Sequence, residues 1–559
     1  MILGIWDGHD AGAAIVDGNE IKVAVNEERL TRRKLDVGFP SESIKCCLNY
    51  IDLKPADIEK IACCTSDFSK TLTRVFPSMK DRYYLLRRRM IHPRFAKWQK
   101  DVKYKLTEIR PSRISKKVSE RVLKKQLNRL GFKSYDFTIF DHHLAHAADA
   151  GFCSGFSKSL VITIDGVGDG LSGSVNVFDK GNIERLSSIS AKHSLGIFFE
   201  HVTNLLGMRE LEDEGKVMAL SDFTYDIPDA KNPMLDFFEV QGLDIIARYS
   251  STRMWSELQN ILWHTFQEQF AWMAQTTLER NIVNLFSNAL RETGMNDVAW
   301  AGGVASNIKA NMKIRHLPEV DRWFVFPHMG DGGLALGSAL LLNFEKNGIW
   351  RYKFDNAYLG PKYTEEEIEK ELKKNKMSYN YEKNVEKHVA DLISKNKIVF
   401  LYQGRMEFGP RALGNRSILA SASSSDSKNN LNLKIKKRVW YQPFCPSVLD
   451  EDAKEIFADY EYTERFMTMG FMVKEEYRKD MAAVVNIDGS ARPQMVINEN
   501  PIYRKILENI KEKTGIGAVL NTSFNLHSYP IVNTPEEAIK VMKETKNNYM
   551  AIGNYFVEI

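Results

Sequence analysis

Ile2-Leu-Gly-Ile-Trp6 runs into Asp7-Gly8, and about 160 residues later Val161-Ile-Thr-Ile164 runs into Asp165-Gly166. Each apolar run has the length of a buried strand. Each is followed by two further β runs that meet at a turn, Asp17-Gly18-Asn19 in the first case and Asp179-Lys-Gly181-Asn182 in the second. Strand, Asp-Gly and hairpin, written twice, predict two similar α/β halves. An Asp at the end of a buried strand, followed by Gly, puts a carboxylate where the backbone can approach a phosphate or a metal closely.

Two later stretches extend the pattern. Val298-Ala-Trp-Ala301 leads into Gly302-Gly303-Val-Ala-Ser-Asn307, and Trp323-Phe-Val-Phe-Pro327 leads into Gly330-Asp331-Gly332-Gly333 before an apolar helix. Both read as strand, glycine loop and helix N-terminus, a ready anion or nucleotide site. Gly302, Gly303, Asn307, Gly330 and Gly332 are therefore candidate nucleotide contacts. Two similar halves facing each other across a nucleotide cleft are the arrangement of duplicated actin-like ATPase domains.

In Asp141-His142-His143-Leu-Ala-His146-Ala147, the imidazoles of His142 and His146 fall four residues apart on one face of a helix. With the strand-end Asp165 and the loop Asp331 they make two imidazoles and two carboxylates, a donor set that suits Fe(II), Mn or Zn with positions left for substrate. His143 points elsewhere on that helix and is expected to be structural.

At 559 residues the chain exceeds one core, and 43% hydrophobic with 27% charged residues is an ordinary soluble composition. No apolar run approaches a membrane span, and Asp7, His9 and Asp10 interrupt the N-terminus where a signal peptide would need apolar residues, so a cytoplasmic protein is expected. The vicinal pairs Cys46-Cys47 and Cys63-Cys64 lack the two-to-four residue spacing of zinc ligands and read as part of a helix and a strand. The net charge of +5 is unevenly placed, with 21 Lys and Arg against four Asp and Glu between Lys70 and Lys133. That helical stretch is read as a solvated cationic insertion rather than a nucleic-acid or lipid site.

At these residues the chain resembles the O-carbamoyltransferase family of the nodulation-factor, cephamycin and tobramycin enzymes. The resemblance is carried by Asp7-Gly-His9-Asp10-Ala11, Asn26-Glu27-Glu28-Arg29-Leu-Thr-Arg32 and Glu214-Gly-Lys216-Val-Met218, together with the histidine helix and both glycine loops. These motifs follow the family's order over nearly the whole chain. The resemblance implies a metal- and adenylate-binding N-terminal domain, residues 1–350, similar to the tRNA threonylcarbamoyl-transfer proteins, with the basic insertion at about 70–133 and Lys216 near the nucleotide. It implies an α+β, YrdC-like C-terminal domain, residues 351–559, that activates carbamoyl phosphate. A boundary near residue 350 fits the loop-like Asn356-Ala-Tyr-Leu-Gly-Pro361 and the acidic helix expected from about Thr364.

The C-terminal part has chemistry of its own. Gly404-Arg405-Met-Glu407-Phe-Gly409-Pro-Arg411-Ala-Leu-Gly414-Asn-Arg416-Ser417 mixes glycines with three arginines, and guanidinium groups beside tight turns suit an oxyanion such as carbamoyl phosphate. Lys434, Lys436, Lys437 and Arg438 follow, and Asp488-Gly-Ser-Ala-Arg492 and Asn521-Thr-Ser523 add a cation and small donors. By the family pattern Arg416, Lys436, Arg492, Asn521 and Ser523, with Arg411 beside them, would grip carbamoyl phosphate and the adenylate. The chain departs from that pattern at Val439 and Gln442, at Asn486 and at Ser528-Tyr529.

The implied reaction has two steps. Carbamoyl phosphate and ATP give carbamoyl adenylate, phosphate and pyrophosphate. An acceptor hydroxyl then attacks the carbamoyl carbon at the metal, most simply Fe(II), with Mn, Zn or Mg as alternatives. His9, next to Asp10, or a metal-linked histidine would take the proton, and the residues do not select between them. The expected partners are ATP, carbamoyl phosphate and a hydroxyl-bearing small molecule, a homodimer is allowed for, and nucleic acid is not expected. The competing expectations are a tRNA threonylcarbamoyladenosine-type modification enzyme and a non-catalytic actin-like ATPase.

Overall fold

The protein, seen in a computed structural model, is described over residues 1–79, 82, 102 and 105–559. Its contacts divide it into two compact units, Met1–Glu27 with Leu35–Phe354 and Glu28–Lys34 with Asp355–Ile559. Most of the basic stretch between Arg82 and Lys105, including Tyr83 to Arg89, lies outside the described residues. The helices Phe68–Val75 and Arg113–Arg129 flank it.

The first unit contains the expected duplication. Strands β1 (Ile2–Trp6), β2 (Gly12–Asp17), β3 (Glu20–Asn26), β4 (Lys60–Cys64) and β5 (Asp136–Phe140) form a sheet in the order β3-β2-β1-β4-β5. Strands β6 (Lys158–Gly168), β7 (Leu171–Asp179) and β8 (Asn182–Ser190), a small hairpin of β9 (Phe238–Gln241) and β10 (Asp244–Ala247), then β11 (Asp297–Ala301) and β12 (Arg322–Val325) follow. Leaving the hairpin aside, the second sheet runs β12-β11-β6-β7-β8. In both sheets the first three strands are antiparallel, and the fourth and fifth run parallel to the first. This is an actin-like α/β pair. The parallel strands are buried on both faces, which is why Lys60-Ile-Ala-Cys-Cys64 and Asp297-Val-Ala-Trp-Ala301 read as continuous rather than alternating apolar runs. The two glycine loops fall at the C-terminal ends of β11 and β12, beside the end of β6.

The helix His142–Cys153 follows β5 directly. Asp141 caps it, its side chain accepting from Leu144 N at 2.9 Å. Eleven of its twelve residues are buried, Leu144 alone being half-buried. A helix apolar or small all round in this way is a core element, and any polar group it carries must be satisfied inside the fold.

The second unit is α+β. Its eight-stranded mixed sheet runs β13 (Tyr379–Tyr381), β22 (Tyr555–Glu558), β21 (Tyr549–Ile552), β14 (Val399–Tyr402), β15 (Arg416–Ser421), β20 (Ala518–Ser523), β16 (Cys445–Leu449) and β19 (Gln494–Val496). A short pair, β17 (Phe471–Met472) with β18 (Ser490–Ala491), lies outside it. The helices Val385–Ser394 and Pro501–Thr514 cover one face through Val389, Ile393, Ile506, Leu507 and Ile510. The acidic helix Glu365–Lys374 starts at Thr364, whose side chain and that of Glu367 form a reciprocal capping box. No helix of the described residues is long and apolar enough to cross a membrane.

Candidate metal and anion sites

In the first unit, His142, His146, Asp165 and Asp331 converge. One ligand atom from each lies within 4.8 Å of all the others, and all four residues are buried. His142 Nε2 is 3.4 Å from Asp165 Oδ2 and 3.7 Å from Asp331 Oδ1, and His146 Nε2 is 3.5 Å from Asp331 Oδ1. Both ring nitrogens of His146 and Oδ1 of Asp331 are buried without a hydrogen bond. Buried polar atoms left open in this way, on two imidazoles and two carboxylates aimed at one point, fit a divalent cation.

The electrostatics point the same way. Burial opposes charge on His142, but Asp331 and then Asp165 outweigh it and hold the imidazolium up to about 9. Burial and the His142 charge press His146 down to about 3. Burial pushes Asp331 up to about 6, while Asp165 stays well below the usual carboxylate range because, against its burial, the hydrogen bond to His142 and the neighbouring histidines His146, His142 and His9 together prevail. One imidazolium thus balances a crowded pair of carboxylates, a task that a cation of higher charge would do better.

Supporting contacts fix the four side chains. Thr65 Oγ1 lies 3.0 Å from His142 Nδ1, leaving Nε2 to face the carboxylates, and Asp169 Oδ2 accepts from His142 N at 2.9 Å. Thr65 holds this place at φ 68, a sparsely populated backbone conformation for a β-branched residue. Gly303 N donates to Asp165 Oδ1 at 2.9 Å, and Gly302, at φ 95, donates to Met329 O at 2.7 Å. The Asp331 loop is tied back by Asn26, whose Nδ2 donates to Gly332 O at 3.3 Å and to Asp10 O at 3.1 Å, and whose Oδ1 is 2.9 Å from His328 Nε2. Neither Thr65 nor His328 carries a sequence signal for this role. His143 faces Thr163 Oγ1 at 2.9 Å and stays outside the cluster.

The remaining sequence candidates of this unit divide. His9 Nδ1 is 3.4 Å from Asp331 Oδ2, at the margin of the quartet, and Asp10 Oδ2 is 3.6 Å from His328 Nε2. Gly330 approaches Gly303 closely enough that a Cβ would lie 4.0 Å from the Gly303 Cα. Asn307 is spent on a reciprocal amide pair with Gln275, both bonds 2.9 Å, and on Ala310 N. Lys216 is ion-paired to Asp213 at 2.8 Å. The two duplicated Asp-Gly carboxylates have also diverged. Asp165 faces the quartet, whereas Asp7 is held by Arg74 through Nε at 2.9 Å and Nη2 at 2.8 Å and by Lys70 at 2.9 Å.

The second unit holds a cluster of cations. Arg411, Arg492, Arg438 and Lys436 repel one another in sequence, and no carboxylate of the described residues pairs with them. Burial, and next the Arg492 charge, press Arg411 down to about 9. Burial lowers Arg438 to about 10, against the Cys445 sulfur and with Arg492. Burial, then Arg438 and Lys34, drive Lys436 well below the usual lysine range. Arg492 donates from Nη2 to Cys445 Sγ at 2.9 Å, and Arg438 stacks over Phe444 at 4.0 Å. Lys436 donates to Ser523 O, to Ser523 Oγ at 3.3 Å and to Asn525 Oδ1 at 2.6 Å. Asn521 Nδ2 donates to Ala412 O at 3.1 Å and Ser447 Oγ at 3.0 Å. Lys436 is buried and the three arginines half-buried, and cations crowded in this way without an acid are costly unless an anion joins them.

The arginine-rich loop is built differently from its sequence expectation. Glu407 Oε1 accepts from the backbone N–H of Leu413 at 2.8 Å, Asn415 at 2.8 Å and Arg416 at 3.0 Å, so this carboxylate shapes the loop. Arg405 donates to Leu359 O at 2.6 Å and Gly360 O at 2.9 Å. Arg416 is wholly buried, donates to the carbonyls of Gln403, Gly404 and Asn415, and stacks on Tyr402 at 3.8 Å. Of the three arginines, Arg411 alone belongs to the cation cluster.

The family model described as Carbamoyltransferase N-terminus matches residues 1–340, and Carbamoyltransferase C-terminus matches residues 390–558. An uncharacterized protein of Methanocaldococcus jannaschii is 33% identical over 574 residues, covering 100% of this chain and 99% of that protein. Nodulation protein NolNO of Sinorhizobium fredii is 31% identical over 98% of this chain and 79% of its own length, and nodulation protein NolO of Bradyrhizobium diazoefficiens is 33% identical over 75% and 78%. Among solved structures, full-length HypF in its phosphate- and nucleotide-bound form matches 62% of this chain and 56% of its own at 14% identity and a TM-score of 0.39.

Proposed function

Because this chain belongs to the carbamoyltransferase family, we propose that it is an ATP-dependent O-carbamoyltransferase that activates carbamoyl phosphate on its second unit and transfers the carbamoyl group on its first. The observation that carries the proposal is the cluster of Arg411, Lys436, Arg438 and Arg492 gathered without a carboxylate. It suits the dianionic phosphate of carbamoyl phosphate, and the second unit is taken as YrdC-like on that chemistry.

In the activation step, water releases phosphate from carbamoyl phosphate and leaves carbamate. A carbamate oxygen then attacks the α-phosphorus of ATP, pyrophosphate departs, and carbamoyl adenylate remains. The cations hold the phosphate oxygens and offset the charge that collects as the phosphoryl groups separate. In the transfer step, a hydroxyl of a small-molecule acceptor attacks the carbamoyl carbon, AMP leaves with the former C–O bonding pair, and the hydroxyl proton passes to a base. His9 would take that proton, a role supported by Asp331 Oδ2, which lies 3.4 Å from its Nδ1 and orients the ring. A divalent ion held by His142, His146, Asp165 and Asp331 would supply Lewis-acid polarisation of the carbamoyl carbonyl, and Fe(II) suits this donor set, with Mn, Zn or Mg as alternatives.

Incubation with ATP and carbamoyl phosphate, with pyrophosphate and adenylates followed by mass spectrometry, tests the proposal. Carbamoyl adenylate and pyrophosphate formed from carbamoyl phosphate support it. Pyrophosphate formed instead from threonine and bicarbonate would replace it with threonylcarbamoyl transfer.

A further inference from the structure

Composition alone gives the basic stretch that ends at Lys133 to solvent, but it does not say which way the cations face. In the helix Arg113–Arg129, seven of the 17 residues are Lys or Arg and one, Glu120, is acidic. Its buried residues are Ser115, Ser119, Leu123 and Leu127. Thr71 of the helix Phe68–Val75 packs on them, its Oγ1 lying 2.8 Å from Ser119 Oγ and donating to Ser115 O at 3.3 Å. Arg113, Lys117, Arg121 and Lys125 each precede one of these buried positions by two residues, about 200° round the helix, so they stand on the opposite side and are exposed. Arg129 continues the row, which runs for about 25 Å. Glu120 pairs with Lys124 at 2.7 Å, and among the described residues no other cation of the helix has an ion pair. Like charges four residues apart repel, and Arg113 and Lys116 also oppose the positive end of the helix dipole. An anionic partner relieves both.

Apolar side chains are exposed around the same row. Ile114 is 76% exposed, and Phe68, Val75, Phe76 and Met79, on and just beyond the helix that carries Thr71, are exposed as well. A nucleic-acid backbone would take the cations and leave aliphatic groups such as Ile114 and Val75 in water. A bilayer interface takes both, the cations at its headgroups and the apolar groups at the acyl boundary. We propose that the exposed face of the helix Arg113–Arg129, with the apolar side chains beside it, is a docking surface for a lipid bilayer that carries anionic headgroups. The contact is peripheral and weakens with salt, and no residue of the face belongs to either candidate site.

The full chain and its variants are sedimented with vesicles of phosphatidylcholine, alone or with about one-third phosphatidylglycerol, at about 0.15 M salt. Wild type is expected to sediment with the anionic vesicles and not with the neutral ones, and to be released as salt is raised. The triple variant Lys117→Gln, Arg121→Gln, Lys125→Gln should bind the anionic vesicles on the order of a hundredfold more weakly, since each cation near such a surface contributes about fivefold. Ile114→Ser should bind them about tenfold more weakly with every cation in place. Both variants should keep the wild-type unfolding midpoint, so that a lost contact is not mistaken for lost folding. A filter assay with bulk transfer RNA on the same proteins separates the two kinds of polyanion. Absence of wild type from the anionic-vesicle pellet would overturn the proposal, as would equal binding by wild type and the triple variant. Ile114→Ser binding vesicles as tightly as wild type, together with RNA binding that the triple variant loses, would overturn the lipid assignment and make the face a nucleic-acid surface.

Discussion

Thr65 illustrates how the candidate metal-binding quartet is held at the level of single residues. A β-branched side chain at φ 68 is costly by about 1–3 kcal/mol, and in return its hydroxyl fixes the His142 ring with Nε2 toward the carboxylates. Thr65→Val keeps the branching and the strain but removes the hydroxyl, so it should lower metal affinity about tenfold to a hundredfold with little change in unfolding midpoint. His146→Ala, which deletes a ligand, should leave purified protein without metal. Elemental analysis checks both, and wild-type stoichiometry in His146→Ala would remove that residue from the site. Arg416 gives the opposite case. Its guanidinium donates to the two buried carbonyls of Gln403 and Asn415 and to the part-buried Gly404 carbonyl, and it lies on a tyrosine face, so Arg416→Met should cost about 2 kcal/mol or more in denaturant unfolding, since each buried carbonyl left unpaired costs about 1–3 kcal/mol. A variant as stable as wild type that has lost only phosphate binding would return Arg416 to the anion site. The sequence could not separate Arg416 from Arg411, because both stand in one glycine-rich loop and differ only in what the folded chain offers each guanidinium.

At the scale of elements, the positions of three of the four converging side chains were legible because two periodicities carry them. The i, i+4 spacing puts His142 and His146 on one helix face, and the repeated strand, Asp-Gly and hairpin puts Asp165 at a strand end. The glycine loops were also legible as loops, but the partners of their N–H groups were not. Gly303 N and Gly302 N hold Asp165 and Met329 rather than standing open, because the second loop closes over the first, and such closure is a tertiary event. The divergence of Asp7 from Asp165 was hidden for the same reason, since the Arg74 and Lys70 that neutralise Asp7 come from another helix. Gly302 lies at φ 95, where a Cβ would come within 2.2 Å of Ile164 O, next to Asp165. Gly302→Ala should therefore lower stability by about 2–4 kcal/mol and reduce metal content, read by thermal unfolding and elemental analysis. Retention of both would mean that the loop relaxes without moving Asp165.

Across the whole molecule, the two candidate sites lie in two different folds. The quartet is built from the repeated α/β halves of the first unit, and the cations gather in the α+β second unit, to which the chain returns Glu28–Lys34. That return could not be read from composition, because a short basic segment near the start of a domain looks like any exposed helix until Arg29 and Arg32 find their carbonyls. If activation and transfer are separate, a lesson in one unit should spare the step assigned to the other. The most direct test is to follow pyrophosphate release and acceptor carbamoylation side by side in Asp331→Ala and Arg492→Ala. Asp331→Ala should release pyrophosphate from ATP when carbamoyl phosphate is present, yet carbamoylate no acceptor, and added carbamoyl adenylate should not rescue it, whereas the same addition should partly rescue Arg492→Ala. Loss of pyrophosphate release in Asp331→Ala as complete as in Arg492→Ala, in protein still folded by circular dichroism, would contradict the division and point to a single shared site.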